Sequence, residues 1–201
     1  VRAGAIATGV DLTDAGVQHT RSRLQELGYA SGDYKLVRGD AENLEFPDAS
    51  FDLVYSWGVL HCTPDTPRAF REAARVLKSG AHLKAMVYHT QSWTAWMLWL
   101  RYALLRGRPW LSPSQCVFEH LESPGTKVYT RNEARSLVQE AGFVDVKVRT
   151  VLGPGDFLAT RASAKYQGLL YKLIWKAYPR SLVRLLGDRF GLYLLVTADK
   201  P

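Results

Sequence analysis

Several polar residues stand where apolar runs give way to turns, the placement a ligand site in an α/β sheet requires. Asp11 closes the run Ala5-Ile-Ala-Thr-Gly-Val-Asp11. A carboxylate there, with backbone donors and a helix start just beyond it, can accept from both vicinal hydroxyls of a nucleotide ribose. It can equally cap the helix locally. Asp40 lies one βα unit later in Gly39-Asp-Ala-Glu42, a pairing also common in ordinary turns. Ser56-Trp57-Gly58 falls at the mouth of the next strand, where such sheets hold ligands. His61 follows at once. Its imidazole titrates in the range that suits orienting or deprotonating a substrate, or it satisfies nearby backbone. His89 and Tyr129 are alternative acid–base groups. Trp93, Trp96 and Trp99 form an aromatic stripe that either packs a helix or lines a hydrophobic site. Cys62 and Cys116 have no metal-ligand spacing and read as reduced, unpaired thiols, so no metal is expected.

The elements that must position these groups alternate. A short strand ends at Asp11, and Thr13 or Asp14 caps a helix whose apolar positions Val17, Leu24 and Leu27 share a face and which Gly28 stops. Tyr34 to Arg38 reads as a strand, and so does Leu53 to Ser56 after the turn residues Asp48-Ala-Ser50. Pro64 and Pro67 open a helix carrying Ala69, Phe70, Ala73, Val76 and Leu77, expected to run to Gly80, and Ala81 to Tyr88 is the next strand. This alternation with short links selects a parallel sheet with right-handed crossovers. Beyond Tyr88 it breaks. An aromatic helical segment covers 93–105, at about 13 residues too short to span a bilayer, and Arg106 to Gly125 reads as a loop. Thr130 and Glu133 have capping-box spacing for a helix running to Gly142. Val144 to Val151 and Gly191 to Thr197 are strands. Residues 157–187 read as helical, with Tyr166, Leu169, Leu170, Leu173, Ile174 and Ala177 on one face and Lys165, Lys172 and Lys176 on the other.

Phe51-Asp-Leu-Val-Tyr-Ser-Trp-Gly-Val-Leu-His-Cys62 and Arg75-Val-Leu-Lys-Ser-Gly-Ala81 together resemble the class I S-adenosylmethionine-dependent methyltransferases. The likeness is greatest to the small-molecule, type 11-like group written FDxVxxxxVLHH followed by RVLKPGG, and Gly9-Val-Asp-Leu-Thr13 resembles that family's GxDxS/T. It covers 5–90 best, then 129–151 and 191–200. The resemblance implies a Rossmann-like, doubly wound, mostly parallel sheet of order 3-2-1-4-5-7-6 with an antiparallel C-terminal hairpin. The present strands would be numbers 2 to 7. The family's E/DxGxGxG loop and its first strand would precede Val1, so the chain would be an N-terminally truncated portion that holds S-adenosylmethionine weakly or not at all by itself. The implied site has Asp11 on the ribose, Asp40 on the adenine amine, Leu12 and Ala41 packed against the adenosine, and Ser56 beside the methionine portion. His61 is the candidate catalytic group. The implied reaction is in-line transfer of a sulfonium methyl group to a small-molecule acceptor, in which alignment supplies much of the acceleration.

At 201 residues and 47% hydrophobic content the chain suits one domain. Residues 1–90 would form the cofactor-binding core, 91–128 a helical cap, and 129–201 the last helices and strands. The poorly matched parts 91–128 and 152–190 would meet the acceptor, and their content favours a lipophilic or aromatic one. No secretory signal is evident, which suggests a cytoplasmic protein. The net charge of +7 sits almost wholly in the C-terminal half, spread among apolar helices and not clustered. Neither a basic cluster nor an Asn/Asp-Pro-Pro-Tyr-type base-flipping motif is present, so no nucleic-acid partner is expected. Two other readings stay open. An NAD-dependent oxidoreductase shares the Asp11 logic, and a non-enzymatic membrane-surface module would use the basic amphipathic segment 165–186. Oligomeric state is not legible.

Overall fold

The computed structural model describes residues 4–121, 125–157, 178 and 180–201. Strands β1 (Ala7–Asp11) and β2 (Tyr34–Arg38) pair in parallel around α1 (Asp14–Glu26). A second sheet has the order β3-β4-β7-β6, from β3 (Phe51–Trp57), β4 (Leu77–His89), β6 (Val144–Val151) and β7 (Tyr193–Asp199). β3 runs parallel to β4, whereas β7 is antiparallel to both β4 and β6. Two-residue β5 (Val128–Tyr129) adds to the far end of β4. Among the described residues no ladder joins β1 to β3, the place where the resemblance put a further strand. The remaining order is the expected one, and the architecture is α/β and Rossmann-like.

The hydrophobic core is one layer deep between this larger sheet and two helices, α2 (Thr66–Val76) and α5 (Arg131–Glu140). Phe70, Leu77, Leu83, Val138, Leu194 and Val196 are enclosed there. α2 is strongly one-sided because Ala69, Phe70, Ala73, Ala74 and Val76 recur at helical spacing. Asp65 caps it by accepting from Arg68 N at 3.0 Å. The capping box predicted for α5 forms in both directions: Glu133 N donates to Thr130 Oγ1 at 3.2 Å, and Thr130 N to Glu133 Oε2 at 2.7 Å.

Three elements differ from the sequence reading. α2 ends at Val76 and the chain turns directly into β4, so Gly80 does not stop the helix. It lies inside β4 at φ 76°, donating to Lys200 O at 2.8 Å. The segment 106–125 is not all loop, because α4 (Pro113–His120) forms within it under a Ser112–Gln115 capping box. It packs on α3 (Trp93–Tyr102), closing a small second core of Tyr102, Ala103 and Cys116. β5 was not foreseen, since a two-residue strand leaves no period to read. Of the helix expected over 157–187, α6 (Arg180–Leu186) is described. Residues 158–177, including the lysine and leucine faces named above, lie outside the described residues.

Candidate active site

β1 and β2 bring Asp11 and Asp40 to the same end of one parallel ladder. Asp11 pairs with Arg38 at the end of the ladder, and Gly39 N donates to Asp11 O at 2.9 Å. The Asp11 carboxylate folds over the first turn of α1. Its Oδ1 accepts from Thr13 N at 2.8 Å and Thr13 Oγ1 at 2.9 Å, while Thr13 Oγ1 accepts from Gly16 N at 3.0 Å. Gly16 makes this possible, because a Cβ there would stand 2.3 Å from the carboxylate. Asp11 is therefore a local cap through one oxygen. Leu12 beside it is exposed, its carbonyl held by Arg38 Nε at 3.3 Å.

Asp40 lies in the turn directly after β2, exposed, with Oδ1 accepting from Glu42 N at 2.9 Å. Ala41 is half-buried and packs against the main core. Glu42 carries this turn onto the next strand end. Its carboxylate accepts from Asp65 N at 2.6 Å and its carbonyl from Arg68 Nε at 2.8 Å. Arg75 clamps the rest of the loop. It donates to Leu44 O, Phe46 O, Asp48 and Glu72 at 2.6–2.8 Å. The turns after β1, β2 and β3 are thus joined in series by Gly39–Asp11 and Glu42–Asp65.

Ser56 is the penultimate residue of β3. Its side chain is buried, and its Oγ has no hydrogen-bond partner. What the rim presents beside it is Trp57, half exposed and stacked on Tyr55 with centroids 6.3 Å apart, followed by Gly58 at φ 74°. His61 sits in the 3₁₀ turn Leu60–Cys62 and is fully enclosed, with both ring nitrogens unpartnered. Its ring meets Tyr88 edge-on at 4.6 Å. Burial, and secondarily the positive Lys127, lower its pKa to about 4. The imidazole is neutral at physiological pH and a weak base. Lys127 N donates to His61 O at 3.3 Å, and its ammonium reaches Thr63 O, Pro64 O and Thr66 Oγ1.

His89, at the end of β4, is also buried, and burial lowers its pKa. Its Nδ1 lies 3.2 Å from Gly191 O, which must accept, so the neutral ring carries its proton on Nδ1. Tyr129 is half-buried with its pKa raised, chiefly by burial. Ser114, Gln115 and Phe118 of α4 face Lys127, Val128 and Tyr129 across a groove of about 350 Å³. Nothing in the sequence singles out Gly16, Glu42, Lys127 or this groove. Gly16 and Glu42 lie within quoted motifs or next to them but act through partners fixed only by folding. Lys127 carries no local signal at all. Among the described residues no group of three or more His, Cys, Asp or Glu is placed to hold a metal ion.

Residues 1–84 match a family model described as a methyltransferase domain. The chain is 45% identical over 76 residues to the phthiotriol/phenolphthiotriol dimycocerosates methyltransferase of Mycobacterium leprae, a stretch covering 38% of this chain and 26% of that protein. It is 30% identical over 145 residues to the demethylmenaquinone methyltransferase of Tropheryma whipplei, covering 71% of this chain and 59% of that one. Over residues 1–84 the chain is thus similar in sequence to the class I S-adenosylmethionine-dependent methyltransferases. The methyltransferase fold extends past the sequence match. A solved geranyl diphosphate methyltransferase in complex with S-adenosylmethionine superposes with a TM-score of 0.65 over 98% of this chain and 70% of that one, at 16% identity. The chain spans about a quarter of the length of the mycobacterial methyltransferases it matches.

Proposed function

We propose that this methyltransferase transfers a methyl group from S-adenosylmethionine to a lipophilic small molecule, and that Asp11, Leu12, Asp40, Ala41 and Ser56 hold the donor. The observation that carries this reading is the single rim made by the turns after β1, β2 and β3. The exposed Asp11 carboxylate, engaged locally through Oδ1, suits ribose hydroxyls through its other oxygen. Asp40 is the adjacent acceptor for an exocyclic amine, and exposed Leu12 with half-buried Ala41 supplies apolar contact. The unpartnered Ser56 hydroxyl, buried behind the same rim, fits a polar donor atom that reaches it. Bound there, the sulfonium supplies an already activated methyl group, and the protein's part is to align it with the acceptor. Of the two roles open to His61, orientation suits a neutral, weakly basic ring better than proton abstraction does.

The acceptor side rests on the half-buried Trp93 and Trp99 of α3 and on the groove between α4 and β5, lined by Phe118, Val128 and Tyr129. The names of the relatives, a phthiotriol/phenolphthiotriol dimycocerosates and a demethylmenaquinone methyltransferase, support the same acceptor class.

Photo-crosslinking with methyl-labelled S-adenosylmethionine tests the donor site. Label on the chain is expected to be displaced by S-adenosylhomocysteine and not by NAD. Asp11→Ala should lower half-saturation affinity by about tenfold, the worth of roughly one charge-assisted hydrogen bond. Labelling indifferent to Asp11→Ala, or displaced equally by NAD, would overturn the assignment.

A further inference from the structure

We propose that the knuckle between α3 and α4, residues 104–110, docks on the surface of an anionic lipid bilayer. All seven residues from Leu104 to Trp110 are exposed, with Leu105 at 75% and Trp110 at 74%. Single exposed apolar residues are ordinary; a contiguous tip of them is not. Trp96 and Leu100 on α3 extend the patch back at four-residue steps from Leu104, and both are exposed as well. Arg106 and Arg108 sit within the tip. The chain has no Asp or Glu from Ala73 to Phe118; the next acid, Glu119, lies beside His120 on α4 at 3.5 Å.

The tip is held outward by its own hydrogen bonds. Arg106 N and Arg108 N both donate to Ala103 O, at 3.2 and 2.8 Å, and Gly107 N donates to Leu104 O at 3.1 Å with Gly107 in the left-handed conformation. Leu111 N closes the turn on Arg108 O at 3.1 Å, and Trp99 Nε1 fixes its base on Leu111 O at 2.6 Å. Arg106 lies over the Tyr102 ring at 4.9 Å, with buried Tyr102 and Ala103 forming the floor. Leu105 and Trp110 are therefore presented on a preformed scaffold.

Aliphatic and indole side chains flanked by arginines match the layers of a membrane interface. Leucines enter the acyl boundary, tryptophan sits at headgroup depth and arginines meet anionic headgroups. A second copy of the chain fits less well, since a two-fold contact would set arginine against arginine with no acid in the patch. Single-stranded nucleic acid would use the tryptophans and arginines but gives Leu100, Leu104 and Leu105 nothing to stack on. The proposal is independent of the methyl-transfer reading.

Flotation of the full chain with phosphatidylcholine vesicles, with and without phosphatidylglycerol, tests it. Binding is expected only when phosphatidylglycerol is present and should weaken at high salt. Each of Arg106→Glu and Arg108→Glu should weaken it at least about fivefold, from the loss of one basic charge near the surface. Leu105→Asp with Trp110→Ala should abolish it while circular dichroism stays native, as these side chains are exposed. Vesicle binding unchanged by these substitutions would overturn the proposal. So would binding to phosphatidylcholine alone in equal measure, the absence of any vesicle binding, or self-association or RNA binding that alone responds to the same substitutions.

Discussion

His61 illustrates how one residue's environment redirects its chemistry. As a sequence symbol it suggests a group that titrates near neutrality; enclosed beside Tyr88 and facing Lys127, it is held neutral. That has a stability consequence of definite sign. In the unfolded chain the ring takes up a proton below about pH 6.5, whereas in the folded protein it resists until about pH 4. The contribution is fully present above pH 6.5 and is lost as pH falls toward 4. Urea unfolding is expected to show the wild type losing about 2 kcal/mol between pH 7 and pH 5 from this group, and His61→Leu should remove that part of the slope. An equal slope in both proteins would show that the ring is hydrated in the fold. Asp11 shows the opposite case: it stays exposed, and the backbone turn around it decides which oxygen is committed.

At the scale of elements, the β6–β7 hairpin positions the end of β4 and hence His89. Gly191 lies at the entry to β7, where an added Cβ would fall 2.2 Å from the carbonyl of Val151 and 2.6 Å from Leu152 N. Those neighbours are backbone and cannot rotate away. Gly191→Ala is expected to cost about 2–3 kcal/mol in denaturant unfolding, at the upper end of what overpacking imposes. Gly155→Ala, whose nearest neighbour would be a leucine methyl at 3.6 Å, should cost far less. Nearby Asp156 reinforces the junction. Its buried carboxylate accepts from Thr94 Oγ1 at 2.7 Å, Gly153 N at 2.9 Å and Leu192 N at 2.8 Å, tying α3 to the hairpin.

The whole molecule is unevenly consolidated. The main core draws on β3, β4, β6, β7, α2 and α5, whereas α1 buries only Val17, and the β1–β2 pair has no ladder to β3. The link between the two sheets is the 39–50 segment gripped by Arg75, Glu72 and Asp65. Local opening should follow this division. Hydrogen exchange is expected to release the amides of β1, α1 and β2 at least about tenfold faster than those of β4 and β7. Uniform protection across both sheets would show that the two parts open together. Among the described residues no helix is long and apolar enough to cross a membrane.

The sequence by itself determined the alternation of elements, the limits of β6, the capping box of α5 and the methyltransferase likeness of residues 1–84, because each is written in residues close together along the chain. That Asp11 closes a strand and Asp40 lies just past one was legible from the turn residues beside them. Only the tertiary structure decided that Ser56 and His61 turn inward, that Gly16 opens a place for the Asp11 carboxylate, and that Glu42 and Lys127 lock the loops of the rim. It also decided that β4 begins at Leu77 and not after Gly80. Burial and long-range pairing are properties of neighbours brought together by the chain's path, and no local pattern of residue types encodes them.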